Sequence, residues 1–569
     1  MRTITDGSAP FSSFRPTPTT AGTLTAVPHA DRTPPALRPR HVRPVPLAEL
    51  AALLGTDAPQ DADADRTVTG ITHDSRAVVP GDLYAALPGA RFHGADFAHQ
   101  AASLGAAAVL ADPSGAERAA ASGLPVLTVA EPRAHLGALA AEIYGHPGRD
   151  LLQIGITGTS GKTTTSYLVE GALQRAAAEA ARADETPEAA PTGLIGTVET
   201  RIGDERVKSV RTTPEATDLQ ALFAVMRERG ARAVAMEVSS HALVMGRVDG
   251  CVFDVGVFLN LSPEHLDYHR DMEDYFLAKA QLFTPARSRR GVVNLDDPYG
   301  RRLAAEAASP EFPVTTFSAE GHPDADWRAE DVTAGPLGST FTVVAPDGAR
   351  IKAAAPLPGA FNVANALAAV AACAAAGIDP AVAAEGIAAV PGVPGRLERV
   401  DAGQPYLAVV DYAHKPDAVE SVLQALRKVT EGSLHAVLGC GGDRDPHKRP
   451  GMGAALARLA DTAVLTSDNP RSEDPLAILA AMLAGAAEVP AHERGTVLVE
   501  EDRAAAIAAA VARAEPGDTV LVAGKGHEQG QDIAGVIRPF DDRVELRAAI
   551  GRRSSHAPQD PDARRGPLK

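Results

Sequence analysis

One stretch constrains the fold more than any other: an apolar run that ends in a glycine-rich turn. Residues 151–156 are typical of a buried strand, and Gly158-Thr159-Ser160-Gly161-Lys162-Thr163 follows before a helical pattern begins. Backbone N–H groups of such a turn surround phosphates, while the lysine reaches the outer phosphates and a hydroxyl meets Mg²⁺. The general P-loop has a glycine where this chain has Ile156. A turn without a ligand needs neither lysine nor threonine at these offsets, so the sequence predicts a shortened phosphate-binding loop.

Length and composition indicate a globular protein of several domains. The chain has 569 residues, of which 45% are hydrophobic and 22% are charged. A net charge of −17 argues against non-specific binding to nucleic acid, which requires a basic surface. Three widely separated cysteines favour neither a disulfide framework nor a zinc site, and they predict a cytoplasmic protein. No apolar run of membrane-spanning length is free of prolines, so no membrane segment is expected.

Strand and helix patterns predict an α/β protein with three domains between two disordered tails. The first 45 residues are rich in Pro, Thr, Ser and Ala, a composition that does not support a packed core. Residues 175–191 are predicted to extend a helix into a surface insertion. The predicted boundaries are a tail at 1–45, domains at 46–148, 149–391 and 392–552, and a tail at 553–569.

Polar side chains follow apolar strands in the predicted central domain. Glu237 ends one such strand, where P-loop enzymes place an acidic residue near a phosphate-bound metal; a buried, ion-paired glutamate is the alternative. His265 lies in a polar loop after a second strand and could contact metal or phosphate, or face solvent. By composition alone, Lys279 is predicted to be a surface lysine whose stem covers apolar neighbours. Asn362 and Asn365, at helical spacing, could contact a base or could cap and pack.

Four strands of the predicted third domain each end in a polar or glycine-rich loop. Parallel strands bring such loops to one edge of the sheet, where open α/β folds bind ligands. The sequence therefore predicts a crevice formed by residues 411–416, 439–445, 467–471 and 524–528.

Six motifs, in this order, resemble those of the Mur ligases, and the resemblance covers residues 45–552. They are Gly158-Thr159-Ser160-Gly161-Lys162-Thr163, Glu237-Val238-Ser239-Ser240-His241, Glu264-His265-Leu266-Asp267-Tyr268-His269, Gly395-Arg396-Leu397-Glu398, Asp411-Tyr412-Ala413-His414 and Gly524-Lys525-Gly526-His527-Glu528. The resemblance implies three domains, with a central P-loop ATPase-type domain and a Rossmann-like C-terminal domain. It also implies a monomeric, ATP-dependent amide-forming ligase.

The resemblance implies roles for residues around the predicted phosphate-binding loop. Lys279 would be carbamylated by CO₂ and would become a carboxylate-like metal ligand, which requires a deprotonated amine. The catalytic residues would be Lys162, Lys279, Glu237 and His265, and Mg²⁺ would be held by Thr163, Glu237, His265 and carbamylated Lys279. ATP would be bound by Gly158, Thr159, Ser160, Gly161, Lys162, Thr163, Thr164, Asn362, Asn365, Arg396, Asp411 and His414.

The resemblance also implies the other two substrates, UDP-N-acetylmuramoyl-L-alanyl-D-glutamate and the amino acid diaminopimelate. Diaminopimelate has a second carboxylate, and Arg471 would bind it, because a buried anion requires a charge-matched, preferably bidentate donor. The nucleotide substrate would meet Ser75, His93, Thr212, Thr213, Ser239 and Arg247. Diaminopimelate would meet Arg444, Asp468, Asn469, Arg471, Gly524 and Glu528.

Two alternatives are weighed against this hypothesis. A second amide ligase of the superfamily, such as a folylpolyglutamate synthetase, would share the phosphate-binding loop but not the residues 73–76 or the loop 468–471. A non-catalytic protein that senses the nucleotide precursor would not need intact Lys162, Glu237 and Lys279. The resemblance to the Mur ligases implies a more polar residue at the position that Met245 occupies.

Overall fold

The computed structural model describes residues 37–57, 66–186 and 188–556. The predicted tail residues 1–36 and 557–569 lie outside the described residues. Residues 37–45 correct the predicted N-terminal tail, because Arg38 pairs with buried Asp82 at 2.8 Å and the backbone N–H of Arg40 donates to Glu228 at 2.9 Å. No described helix is both long and apolar enough to cross a membrane.

The N-terminal part contains a sheet of four parallel strands. Its two central strands are short and buried, which suits runs of Ala, Val and Leu between helices. After the antiparallel pair β1 (Val45–Pro46) and β2 (Thr67–Val68), the sheet order is β3 (Gly70–Thr72), β4 (Asp82–Ala86), β5 (Ala108–Ala111) and β6 (Val126–Thr128). The helices are α1 (Leu47–Leu54), α2 (Ala98–Ser103), α3 (Pro113–Ala119) and α4 (Pro132–Ile143).

An 11-stranded mixed sheet forms the middle of the molecule, with β7 and β12 among its inner parallel strands and antiparallel strands at both edges. In chain order the strands are β7 (Leu152–Thr157), β8 (Thr192–Ile195), β9 (Glu199–Ile202), β10 (Glu205–Lys208), β11 (Ala233–Glu237), β12 (Val255–Phe258), β13 (Gly291–Asn294), β14 (Val314–Ser318), β15 (Trp327–Gly335), β16 (Gly338–Val344) and β17 (Arg350–Ala355). The helices are α5 (Lys162–Ala183), α6 (Ala216–Glu228), α7 (Ser240–Val244), α8 (Met272–Ala280), α9 (Pro298–Ala307), α10 (Ala360–Ala375) and α11 (Pro380–Ala388).

The C-terminal part has a six-stranded sheet in which β19 to β23 are parallel. Its strands are β18 (Glu398–Arg399), β19 (Leu407–Asp411), β20 (Leu434–Cys440), β21 (Thr462–Ser467), β22 (Thr496–Val499) and β23 (Thr519–Ala523), followed by the hairpin β24 (Gly530–Ile533) and β25 (Val536–Pro539). The helices are α12 (Pro416–Arg427), α13 (Lys448–Leu459), α14 (Pro475–Glu488), α15 (Arg503–Val511) and α16 (Asp542–His556).

Helix α16 corrects the predicted start of the C-terminal tail at residue 553. The helix continues to His556, and it is anchored by the buried side chains of Leu546, Ala549 and Ile550. Helix α5 extends to Ala183, within residues 175–191, which are predicted to continue that helix into a surface insertion. Ion-pair, hydrogen-bond and apolar contacts, which composition alone does not reveal, therefore order residues 37–45 and 553–556 of the two predicted tails.

Candidate functional site

The turn between β7 and α5 has the geometry of an anion site. Gly161 has φ 88°, and an added Cβ would come within 2.5 Å of the Asn365 Oδ1 atom. Among the described residues, no side chain caps the N-terminus of α5, so N–H groups of its first turn are open to a ligand. The Nζ atom of Lys162 lies 2.7 Å from the Gly158 carbonyl oxygen and 2.9 Å from that of Thr159.

Asn260, at the end of β12, supports this turn. Its carbonyl oxygen accepts from the N–H of Thr159 at 3.0 Å, and its Oδ1 accepts from the N–H of Ser160 at 2.9 Å. Sequence patterns alone do not single out Asn260, because its role depends on β12 lying next to β7 in the sheet. The side chain of Thr159 also lies 3.2 Å from the Tyr275 hydroxyl.

Glu237 is buried at the end of β11, and its exposed fraction is 1%. Its two carboxylate oxygens accept from the N–H of Thr197 at 2.8 Å and from the Thr197 hydroxyl at 3.0 Å. Glu237 is therefore buried in hydrogen bonds to Thr197, and not in the ion pair that the alternative interpretation of the sequence predicts. A carboxylate has about four acceptor positions, so both oxygens can still bind a cation.

Lys279 corrects the expectation of a surface lysine. The side chain is 1% exposed, and its Nζ donates to the Gly158 carbonyl oxygen at 2.9 Å while lying 4.7 Å from the centre of the Tyr275 ring. Burial, aided by the nearby charge of Lys162, lowers the pKa of Lys279 well below its usual value. Helix α8 turns this residue toward the phosphate-binding turn, which composition could not reveal.

His265 lies beside the same turn, with 43% of its side chain exposed. Its ring makes an edge contact with the ring of His241, with centroids 4.8 Å apart. Burial lowers the pKa of His265 to about 4, although Glu264 opposes the shift. The neutral imidazole that results is the form that can bind a metal.

The donor set fits Mg²⁺ held partly by nucleotide phosphates. Within the described residues, no group of three or more His, Cys, Asp or Glu side chains is arranged to hold a metal ion. Mg²⁺ in nucleotide enzymes typically takes one or two protein oxygens and completes its shell with phosphates and water. The Thr163 hydroxyl in the first turn of α5 and the Glu237 carboxylate supply such oxygens.

Residues from the C-terminal part reach the phosphate-binding turn. Arg396 donates from Nη2 to the Thr163 hydroxyl at 3.1 Å and lies 4.6 Å from the centre of the Tyr412 ring. Asp411 is buried, and its carboxylate accepts from the N–H groups of Leu397 and Ala413, both at 2.7 Å. Burial raises the pKa of Asp411 despite these contacts and the charge of Arg396.

The other predicted ATP contacts from outside the turn differ in their placement. His414 is near Glu264, with 4.0 Å between its Nε2 and the carboxylate, and burial lowers its pKa. Asn362 and Asn365 are buried behind the turn, where the Asn365 amide donates to Asn362 Oδ1 at 3.0 Å. Asn362 in turn donates to the Pro358 carbonyl oxygen at 2.8 Å. The structure therefore places these two amides in packing contacts that support the turn.

The residues predicted to bind diaminopimelate meet at the carboxyl ends of β21 and β23. Asn469 donates from Nδ2 to Glu528 Oε2 at 2.8 Å. Arg471 donates to the Gly442 carbonyl oxygen at 2.6 Å, and its backbone N–H donates to Asp532 in β24 at 3.0 Å. Only Gly tolerates position 524 without a shift of its neighbours, because a Cβ there would meet Asp468 Oδ2 at 2.7 Å.

Arg444 lies near Arg471, because its Cγ and the Arg471 Nη1 would lie 3.9 and 3.1 Å from a Cβ added at Gly441. It is exposed, and its guanidinium donates to the Asp443 carbonyl oxygen at 3.5 Å.

Three predicted contacts for the nucleotide substrate lie around Glu237. Thr213 donates to the Glu237 carbonyl oxygen at 2.8 Å, the Thr212 hydroxyl lies 3.0 Å from that of Thr197, and Ser239 caps α7 by accepting from the N–H of Ala242. Arg247 pairs with Glu215 at 3.0 Å and donates to the Met245 sulfur at 3.3 Å, which accommodates the unexpected methionine.

Ser75 and His93 lie in the N-terminal part instead, in the loops that follow β3 and β4. The Ser75 hydroxyl donates to Gln100 at 3.0 Å, and the His93 ring accepts from the N–H of Ala95 at 3.0 Å. The second ring nitrogen of His93 lies 3.2 Å from Asp112. Both ring nitrogens of His93 are therefore already engaged within the protein.

Comparisons with known proteins agree with this arrangement of three sheets. Three family models match, described as the Mur ligase family catalytic domain at residues 67–144, the Mur ligase middle domain at 156–373 and the Mur ligase glutamate ligase domain at 395–526. A Streptomyces coelicolor protein named UDP-N-acetylmuramoyl-L-alanyl-D-glutamate–2,6-diaminopimelate ligase is 75% identical over 513 residues, covering 90% of this chain and 98% of the relative. This chain belongs to the Mur ligase family.

Solved structures extend the comparison to the fold of this Mur ligase. A structure of a UDP-N-acetylmuramoyl-L-alanyl-D-glutamate–2,6-diaminopimelate ligase is 32% identical, with a TM-score of 0.64, and the match covers 90% of this chain and all of that one. The Mycobacterium tuberculosis folylpolyglutamate synthase is 20% identical with a TM-score of 0.53, over 69% of this chain and 92% of that one. The second likeness concerns the fold alone. The predicted three-domain Mur ligase fold is thereby confirmed.

Proposed function

We propose that this Mur ligase uses ATP to join diaminopimelate to UDP-N-acetylmuramoyl-L-alanyl-D-glutamate in peptidoglycan synthesis. The observation that carries the proposal is the group of Asn469, Arg471 and Glu528 at one end of the C-terminal sheet. Two of these side chains can donate to a carboxylate and one can accept from an ammonium group, which together match an amino acid centre. The naming of the 75% identical relative supports the same substrates.

Each of the three parts of the chain binds different substrates. Residues 46–148 bind the uridine nucleotide through Ser75 and the backbone near His93, residues 149–391 bind ATP and the muramoyl dipeptide, and residues 392–552 bind diaminopimelate. The enzyme works as a cytoplasmic monomer on these small molecules, without nucleic acid or membrane. Meso- and LL-diaminopimelate carry the same charges, so the charges in the crevice do not choose between them.

The reaction requires activation of an unreactive carboxylate. The γ-carboxylate of the D-glutamyl residue attacks the γ-phosphorus of ATP, the bond to the β-phosphate oxygen breaks, and ADP leaves. The amine of diaminopimelate then attacks the acyl carbon, inorganic phosphate leaves, and the amine loses a proton as the amide forms. Lys162 stabilises the charge on the transferred phosphoryl group, and Arg396 is close enough to Thr163 to assist.

Thr163, Glu237, His265 and the carbamate of Lys279 would hold Mg²⁺, which neutralises charge on the phosphates. The lowered pKa of buried Lys279 supports carbamylation, because only the unprotonated amine can attack CO₂. Closure of the C-terminal loops over the acyl phosphate excludes water from this site.

Phosphate release tests the proposal directly. The purified protein is mixed with ATP, Mg²⁺ and UDP-N-acetylmuramoyl-L-alanyl-D-glutamate, and the amino acid is then varied. We expect phosphate release and tripeptide formation with diaminopimelate, and little of either with lysine, which lacks the second carboxylate. Equal rates with lysine would contradict the role of Arg471, and no turnover with any combination would favour the precursor-sensing alternative.

A further inference from the structure

The diaminopimelate crevice has a buried lysine beneath it that has no assigned role. Lys525 follows β23, and none of its side chain is exposed. Its Nζ donates to Asn469 Oδ1 at 2.9 Å and to Glu528 Oε2 at 3.3 Å. Lys525 therefore contacts Asn469 and Glu528 from the interior of the protein, on the side away from solvent.

The hydrogen bonds of Asn469 fix which end of its amide faces the ligand. Its Oδ1 accepts from Lys525 Nζ and also from the backbone N–H of Asp532 at 3.0 Å, so both lone pairs of the oxygen are used. Rotating the amide by half a turn would point its N–H groups at these two donors. The Nδ2 group donates one hydrogen to Glu528 and has no second acceptor within the described part of the chain, so its other hydrogen can be donated to a ligand.

The same contacts distinguish the two carboxylate oxygens of Glu528. Among the described residues, the two hydrogen bonds to this carboxylate both end on Oε2, from Asn469 at 2.8 Å and from Lys525 at 3.3 Å. The Oε1 atom is left to accept from a ligand, and 34% of the side chain is exposed. The crevice therefore presents a donor at Asn469 and an acceptor at Glu528.

We propose that Lys525 is a positioning residue that sets this donor and acceptor for the distal amino acid centre of diaminopimelate. Asn469 Nδ2 then faces the distal carboxylate together with Arg471, and Glu528 Oε1 faces the distal ammonium group. Without the Lys525 donor, the amide of Asn469 can turn over and Glu528 loses its nearest positive charge. The inference rests on the proposed function, since it assigns a role within that same site.

A comparison of two substrates tests the role of Lys525. 2-Aminopimelate keeps both carboxylates of diaminopimelate but lacks the distal amino group, so the ratio of its kcat/KM to that of diaminopimelate measures recognition of the ammonium group. We expect Lys525→Met to reduce the preference for diaminopimelate at least about fivefold, in line with the loss of a charge-assisted hydrogen bond. The KM values for ATP and for the nucleotide substrate should stay within about twofold, since neither substrate meets these residues.

Lys525→Gln is the second variant. Glutamine keeps a donor that can reach Asn469, so this variant should retain an intermediate preference for diaminopimelate over 2-aminopimelate. The variant tests the inference even if Lys525→Met does not fold. Lys352→Met is the control for replacing a lysine by methionine, because Lys352 is an exposed residue of β17 whose Nζ donates to Thr342 at 3.0 Å, within the central sheet. This control should keep the full preference for diaminopimelate.

Combination with Glu528→Gln separates positioning from general stabilisation. If Lys525 acts through Glu528, adding Lys525→Met to Glu528→Gln should cause no further loss of preference. An unchanged preference in Lys525→Met, or an equal rise in the KM for all three substrates, would overturn the inference while leaving the proposed function intact. The proposed function itself fails only if the wild-type enzyme does not consume diaminopimelate.

Discussion

Glu264 and Lys415 form an ion pair between the central and C-terminal sheets, with 3.4 Å between Oε2 and Nζ. Both side chains are largely buried, and Ser262 supports the junction by donating to Asp417 at 3.1 Å. Burial favours protonation of Glu264, but Lys415, Lys162 and two histidines outweigh it and lower the pKa of this carboxylate to about 2. The Glu264 carboxylate therefore stays ionised near Lys162 of the phosphate-binding turn. Its negative charge is balanced by Lys415.

Loss of Lys415 should weaken ATP binding. In Lys415→Met, the buried Glu264 carboxylate would have Lys162 as its nearest strong cation, and Lys162 would then be drawn away from the phosphates. We expect the KM for ATP to rise about tenfold, with the KM for diaminopimelate changed less than about twofold. Steady-state phosphate release measures both constants. Lys428→Met, at an exposed position after α12, serves as control, and equal KM values for ATP in the two variants would contradict the prediction.

Arg471 should control the choice of amino acid. Its guanidinium is held by the Gly442 carbonyl oxygen, and its backbone is held on both sides by the hairpin strand β24 and by Ala534, so the side chain is fixed before substrate arrives. We expect Arg471→Ala to raise the KM for diaminopimelate roughly 30-fold or more, the scale of a lost bidentate ion pair. The KM for lysine should change little, because lysine has no distal carboxylate. An unchanged KM for diaminopimelate would refute the assignment.

The sequence predicted the phosphate-binding turn and the crevice because both follow from local patterns: an apolar strand, then a glycine-rich or polar loop at its carboxyl end. It did not predict the burial of Lys279 or the support given by Asn260, since both depend on which strands and helices become neighbours. The side chain of Lys525 is a similar case. A lysine within a polar loop looks solvent-facing in sequence, and only the sheet order, in which β20 lies between β21 and β23, brings it to Asn469.

Carbamylation of Lys279 should be detectable without an activity assay. Burial lowers the pKa of this amine well below its usual value, which favours the unprotonated form that reacts with CO₂. We expect protein equilibrated with ¹³C-bicarbonate to show a carbamate carbon signal by NMR, and Lys279→Arg to lack that signal. The exposed residue Lys428 provides the control, and Lys428→Arg should keep it. A spectrum of wild-type protein without a carbamate signal would exclude this modification under those conditions.

The two loops of the crevice share one buried support, and its loss should destabilise the C-terminal sheet. Arg503 and Asp542 are both fully buried, and the guanidinium also donates to the carbonyl oxygens of Ser467 and Ala523, the last residues of β21 and β23. Asp542→Ala leaves this guanidinium buried without its charge partner, which typically costs about 3–5 kcal/mol. For a domain of this size the apparent melting temperature should fall by roughly 6 °C or more.

Asp401→Ala is the matched control for Asp542→Ala, because the Arg399–Asp401 pair is about half exposed on both sides and should contribute under about 1 kcal/mol. Thermal melting followed by circular dichroism compares the two variants. Replacing both partners, Arg503→Met with Asp542→Leu, removes the unpaired charge and should recover part of the lost melting temperature. The double variant should still bind diaminopimelate poorly, since the guanidinium no longer links the carbonyl oxygens at the ends of β21 and β23. Equal melting temperatures for Asp542→Ala and Asp401→Ala would show that the buried pair does not support the sheet.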